Sequence, residues 1–199
     1  MSAHRINKDP FPIPLDDAWS IFEDELLVAH HKNGLKIFNY VLLPTRFLMI
    51  AQEGDVTRGK LMSEFLSMTC KKINKQSGRI NQTFAAHHYK CELKSVHALK
   101  NCYKYIYNSP VRENLVRSAE AWQYSTLHGL LGLRKMQIPI VHDKILFTPD
   151  LNENILKWIN TEISPGDLND FTLGLKKRVF KLPRKNRYFP RHDLEIRLL

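Results

Sequence analysis

Cysteine is scarce in this chain, acids are outnumbered, and no apolar run is long enough to span a bilayer. The three cysteines, Cys70, Cys91 and Cys102, are odd in number and share no Cys-x-x-Cys spacing. That argues against a disulfide framework or a zinc site and for a reducing compartment. The opening stretch "MSAHRINKDPFPIP" lacks the apolar core of a secretory leader, and no run of 18 apolar residues occurs anywhere. The expectation is a cytoplasmic protein with nothing to cleave and no membrane association. Gly/Ser linkers and internal repeats are also missing.

What is present supports a folded domain. The chain has 199 residues and is 43% hydrophobic, enough for a core. Thirty Lys and Arg stand against 20 Asp and Glu, a formal charge of +10. Such a surplus favours an anionic partner, most commonly nucleic acid. The bland alternative is a solubilising surface charge.

The prolines of "DPFPIPLDD" predict an extended lead into a helix capped by Asp16 or Asp17, with Trp19, Phe22, Leu26 and Ala29 on one face and Gly34 at its end. Two nearly continuous apolar runs, Lys36–Leu43 and Arg46–Gln52, flank Pro44-Thr45 and read as an antiparallel hairpin of well-covered strands. Arg46 is an odd charge beside the turn. From about Thr57 to Gln76, Leu61, Phe65, Met68/Thr69 and Ile73 recur at helical spacing, with Lys60, Glu64, Lys71, Lys72 and Lys75 opposite. The stretch Ile80–Leu93 reads as a strand or two. Ser95 opens a third helix striped by Leu99, Cys102/Tyr103 and Ile106, and Pro110 stops it. The order predicts an α+β fold on an antiparallel sheet.

The last third differs. "LNENILKWINTEI" predicts a short helix with Ile155, Trp158 and Ile159 inward. From Phe171 to Arg191 there are eight basic residues (Lys176, Lys177, Arg178, Lys181, Arg184, Lys185, Arg187, Arg191) and no acid. Phe180, Tyr188 and Phe189 are interleaved, a composition suited to phosphates and unstacked bases. A solvated basic tail is the plainer alternative.

The segment Tyr103–Tyr124, "YKYIYNSPVRENLVRSAEAWQY", resembles the "RYIHLNPVRAGLV … WSSY" signature of the single-tyrosine HUH transposases, especially the REP-associated tyrosine transposases. Upstream, "NYVLLPTRFLMIAQ" is similar to that family's "AYVLMPNHFHLLL" strand. The resemblance runs from about Arg5 to Gly132 and divides the chain into a transposase-like domain, 1–132, and a helical, basic extension, 133–199. It implies a ferredoxin-like sheet with helices packed on one face and the active site on the other, open face. There, two histidines would bind Mg²⁺ or Mn²⁺, which polarises a phosphate of single-stranded DNA. A helix tyrosine would attack that phosphate.

Carried over residue by residue, the nucleophile position falls on Tyr105, otherwise readable as a half-buried helix aromatic. The histidine positions fall on Arg46 and Leu48, and a further ligand position falls on Ser109. Arginine has no free lone pair and leucine no donor atom, so no metal ligand or cofactor is assigned. His87-His88 are adjacent and would point to opposite faces of a strand. His30-His31 sit at a helix end, and His97 is closest in sequence to Tyr105. Arg46 is instead expected to meet a DNA phosphate, with a solvated strand-end charge as the alternative. Lys71, Lys72, Lys75, Arg112 and the basic tail would grip the rest of a single strand or hairpin. The chain begins too late to hold most of the family's first strand, so that strand is expected to be lost, shortened or upstream.

Three functions follow: a DNA-binding protein with nicking lost or impaired, a working transposase that uses Tyr105 with an unconventional electrostatic site, or an RNA-binding module. Against the last, no aromatic RNP-type motif lies on the expected strands. No oligomeric state is implied.

Overall fold

The structure is a computed structural model describing residues 2–4, 9–54, 58–80, 83–84, 89–141, 153–183 and 192–199. Its strands are β1 (Ser2–His4), β2 (Lys36–Leu43) and β3 (Arg46–Gln52). Its helices are α1 (Leu15–Asn33), α2 (Arg58–Ser77), α3 (Val96–Tyr107), α4 (Ser109–Arg112), α5 (Thr126–Leu130), α6 (Glu153–Asn160) and α7 (Pro165–Leu175).

Pro44-Thr45 form the turn of the expected hairpin, and β2 pairs antiparallel with β3 from Leu43↔Arg46 to Lys36↔Gln52. On the other side of β3 lies β1, with His4 opposite Arg46, which makes β3 the central strand. A first strand is therefore present but only 3 residues long.

Alternation sorts the hairpin side chains into two sets. Tyr40, Leu42, Phe47 and Met49 pack with Trp19, Phe22 and Leu26 of α1 and Leu61, Phe65 and Ile73 of α2. Val41, Leu43 and Ile50 pack with Cys102, Tyr103 and Ile106 of α3, Ile159 of α6 and Phe171 of α7. The expected open face is thus corrected: helices cover both faces. The reason was visible in the near-continuous apolar runs, since a face carrying Val41, Leu43 and Ile50 would be costly to leave in water. Elements of 133–199 share this second core with the sheet.

The outer edge of β2 is also closed. Leu42 donates its N–H to the Tyr124 carbonyl at 2.9 Å, and Val141 donates to the Ile37 carbonyl at 2.8 Å. Between them the Thr126 hydroxyl accepts the Tyr40 N–H at 3.0 Å. Every such pairing removes a backbone group that could recruit another chain.

Several local expectations change. Asp16 and Asp17 lie in the first turn of α1, where they complement the helix dipole, and no side chain caps it. Gly34 does close α1, with φ 67°, a conformation that favours glycine. Ile80–Leu93 forms no extended strand among the described residues. Phe84 inserts edge-on against Phe11 and Phe22, with ring centroids 6.1 and 6.2 Å away. Glu92 makes a single bridge with Val179. Pro110 sits in the first turn of α4, where its missing N–H costs nothing, so the break after α3 falls at Asn108. Helix α7, capped by Ser164, runs to Leu175, so the first residues of the expected basic tail, Phe171–Leu175, are helical.

Phe22 touches the rings of Phe11, Tyr40, Phe47, Phe65 and Phe84 and so ties α1, the hairpin and α2 together. Phe22→Ala should cost about 3–5 kcal/mol, read as a lowered denaturant midpoint with an unchanged slope.

Candidate nucleic-acid interface

Helix α3 starts cleanly because the Ser95 hydroxyl accepts the Ala98 N–H at 3.1 Å. Its inward stripe of Cys102, Tyr103, Ile106 and Tyr107 docks it on the sheet face that carries Val41, Leu43 and Ile50. Arg46 and Leu48 project toward the same face, because they stand directly opposite Leu43 and Val41.

Tyr105 is half-buried, with its ring 5.5 Å from that of Phe171. The short α4 then folds back on α3. Arg112 lies with its guanidinium 4.2 Å over the Tyr105 ring, and its Nη2 donates to the Tyr105 carbonyl at 2.6 Å. Burial lowers the Arg112 pKa, as does the Arg46 charge, while Tyr105 and Glu113 act in the opposite sense. A guanidinium nevertheless remains a cation at any ordinary pH.

The next residue, Glu113, forms an ion pair with Arg46; their side chains are 29% and 27% exposed. Asn114 follows with φ 56°, one of the few side chains that tolerate the left-handed region, and reverses the chain. Arg46, Tyr105, Arg112 and Glu113 thus form one cluster of two cations, one acid and a phenol. Arg46 is not an unpaired strand-end charge: the Glu113 carboxylate holds it, so any phosphate that meets Arg46 competes with Glu113. Glu113 was missed by sequence reasoning. Its only signal was its position beside Arg112.

The remaining basic residues divide. Lys71, Lys72 and Lys75 lie on α2, which packs on the opposite face of the sheet from Arg46 and Tyr105. Lys72 is held by Glu25 at 2.8 Å and Asp24 at 3.5 Å, and the Glu25 hydrogen bond raises its pKa. Lys71 and Lys75 are exposed. Lys176, Lys177, Arg178 and Lys181 are exposed beyond the end of α7, on the α3 side of the sheet. Arg184, Lys185 and Arg187 lie outside the described residues, as do His87 and His88.

The positions aligned with metal ligands do not fit a metal. Arg46 is a paired cation, Leu48 has no donor, and the buried Ser109 hydroxyl donates to the Ile106 carbonyl at 2.6 Å. His30 lies 2.7 Å from the Leu35 carbonyl through Nδ1, and His97 faces solvent. Among the described residues no group of three or more His, Cys, Asp or Glu could hold an ion. No described helix is long and apolar enough to cross a membrane.

On the far side of α3, Lys104 is fully buried, donates to the Leu199 carbonyl at 2.8 Å and lies 5.7 Å over the Trp158 ring. Trp158 Nε1 donates to the same oxygen at 2.9 Å, and Asn101 accepts the Leu199 N–H at 2.8 Å. Burial pushes the Lys104 pKa down to about 8. Its folded pKa then lies below its unfolded one, so the unfolded chain binds more protons between about pH 8 and pH 10. Stability should rise with pH through that window, with the cost of the buried ammonium carried in full below it. Lys104→Met should flatten the rise, measured as urea midpoints across the window.

No family model and no curated protein matches this chain. Among solved structures it is similar to a REP-associated tyrosine transposase bound to a REP hairpin, with a TM-score of 0.55. The two share 16% identity over 76% of this chain and 85% of that one. At that identity the likeness speaks for the fold: the chain has a tyrosine-transposase-like α+β fold.

Proposed function

We propose that this chain is a DNA-binding protein built on the frame of the tyrosine transposases, with metal-dependent nicking lost or impaired. The observation that carries the reading is the cluster of Arg46, Arg112 and Tyr105 on one sheet face, in a fold similar to that of a transposase bound to a DNA hairpin. The formal charge of +10 and the exposed Lys176–Arg178 step on that side add the long-range attraction that phosphate binding needs. The partner is a single strand or a hairpin, because Arg46 and Tyr105 lie part-buried on the sheet face packed by α3 rather than on an exposed helix that could enter a major groove.

In this reading Arg46 supplies a fixed positive fork to a phosphate oxygen. Loss of nicking follows from the chemistry of Arg46, Leu48 and Ser109, which offer no ligand set. A guanidinium can bind the phosphate but neither generates nor orients a nucleophile as a metal does. A second reading, an active transposase, is favoured by one observation: Tyr105 lies directly under the Arg112 cation.

One assay separates the two. Incubated with labelled single-stranded hairpin DNA and Mg²⁺ or Mn²⁺, the chain should form no covalent adduct; an adduct abolished by Tyr105→Phe would establish the active enzyme instead. Binding carries its own signs. Arg46→Ala should weaken single-strand affinity about tenfold, roughly 1.4 kcal/mol, at a fixed stated salt. Glu113→Gln should strengthen it severalfold, because a phosphate then no longer competes with a carboxylate for Arg46. Unchanged affinity in both variants would remove Arg46 from the interface.

A further inference from the structure

A cleft of about 690 Å³ opens on the α3 face at the end of the hairpin remote from the Pro44-Thr45 turn. That volume lies within the range of small-ligand sites. Its inner wall is apolar: Phe38 and Ile50 from the sheet, Leu99 and Cys102 from α3, and Leu175 from the end of α7. Phe38 reaches this wall through an irregularity in β2. Ile37 pairs with Ala51 and Asn39 with Ile50, which leaves Phe38 as the extra residue of a bulge.

The outer wall is built rather than incidental. Glu92 donates its N–H to the Arg178 carbonyl at 2.9 Å, and Phe180 donates to the Glu92 carbonyl at the same distance. Cys91 Sγ adds a weak contact to the Gly174 carbonyl at 3.8 Å. Gly174 is required there, since a Cβ would meet the Phe180 ring at 2.8 Å.

Charge decides what the cleft accepts. Two acids, Glu53 and Glu92, stand at its rim with Lys90, which lies 3.9 Å from Glu53, and Arg178. The two acids and two cations balance, so the rim selects no anion, and the apolar wall of Phe38, Leu99 and Leu175 suits a neutral planar group. Immediately outside, Lys176, Lys177 and Arg178 are exposed cations on a stretch without an acid. A neutral planar body inside and negative charge outside describe a nucleotide within a strand. Ile50 lies four residues along β3 from Arg46, about 13 Å, so one bound strand can reach both places.

We infer that this cleft holds one unstacked nucleobase of the bound single-stranded DNA, while the adjoining phosphates meet Lys176, Lys177 and Arg178. The inference rests on the DNA-binding reading and adds the position at which the strand is gripped through a base. Stacking against Phe38 tolerates sequence, because every base presents a π-face.

The test is an abasic scan with the full chain. Unpaired oligonucleotides carrying one abasic site at successive positions are titrated at constant salt. One or two adjacent positions should lose about tenfold in affinity and the others should stay within about twofold. A 2-aminopurine at the sensitive position should change its emission on binding. Phe38→Leu should weaken binding of the intact strand but not of the abasic one, and Leu99→Trp, which fills the cleft, should abolish the emission change. Arg46→Ala should lower affinity without altering the emission of the bound form. DNA bound equally well whatever the abasic position, with no emission change, overturns the cleft assignment and leaves the DNA-binding reading standing. A chain that binds no single-stranded DNA at all overturns both.

Discussion

The β2–β3 hairpin is apolar on both faces, and the rest of the molecule is arranged to keep both out of water. Tyr40, Leu42, Phe47 and Met49 demand one helical layer; Val41, Leu43 and Ile50 demand another. The first is met by α1 and α2 through a lattice of aromatic rings centred on Phe22. The second is met by α3 with α6 and α7, elements that come from the last third of the chain. Arg46 at the hairpin turn and Phe38 at the bulged end both stay part-exposed on this face.

The polar cluster follows from that packing. Once α3 is seated by Cys102, Tyr103 and Ile106, Tyr105 must point sideways, against Phe171 and under Arg112. Helix α4 is only four residues long, so Arg112 and Glu113 leave it in different directions. One stacks on Tyr105 and the other reaches Arg46. Two cations close to each other would repel; Glu113, ion-paired with Arg46, offsets part of this. A phosphate could take over that role, which is why the proposed function makes Glu113 a competitor rather than a helper of binding.

Much of this was legible in the sequence, for identifiable reasons. Pro44-Thr45 between two apolar runs specified the hairpin, Gly34 specified the end of α1, and Ser95 specified the start of α3. Helical spacing gave the buried faces of α1, α2 and α3. Three things escaped. The double coverage of the sheet was implied by the continuous apolar runs, yet the family resemblance suggested an open face. The separation of Lys71, Lys72 and Lys75 from Arg46 depends on which side of the sheet α2 takes, and one sequence does not encode that locally. The Glu113 partner of Arg46 is 67 residues away along the chain, beyond the reach of any spacing argument.

In the proposed function, single-stranded DNA lies across the sheet face shared by Arg46, α3 and the end of α7. Photocrosslinking with a bromodeoxyuridine-substituted hairpin, followed by peptide mapping, locates the bound strand. Crosslinks should fall within 105–113 and 171–183, with none on the exposed side of α2. Crosslinks confined to the α2 peptide bearing Lys71 and Lys75 would place the DNA on the opposite face and contradict that placement.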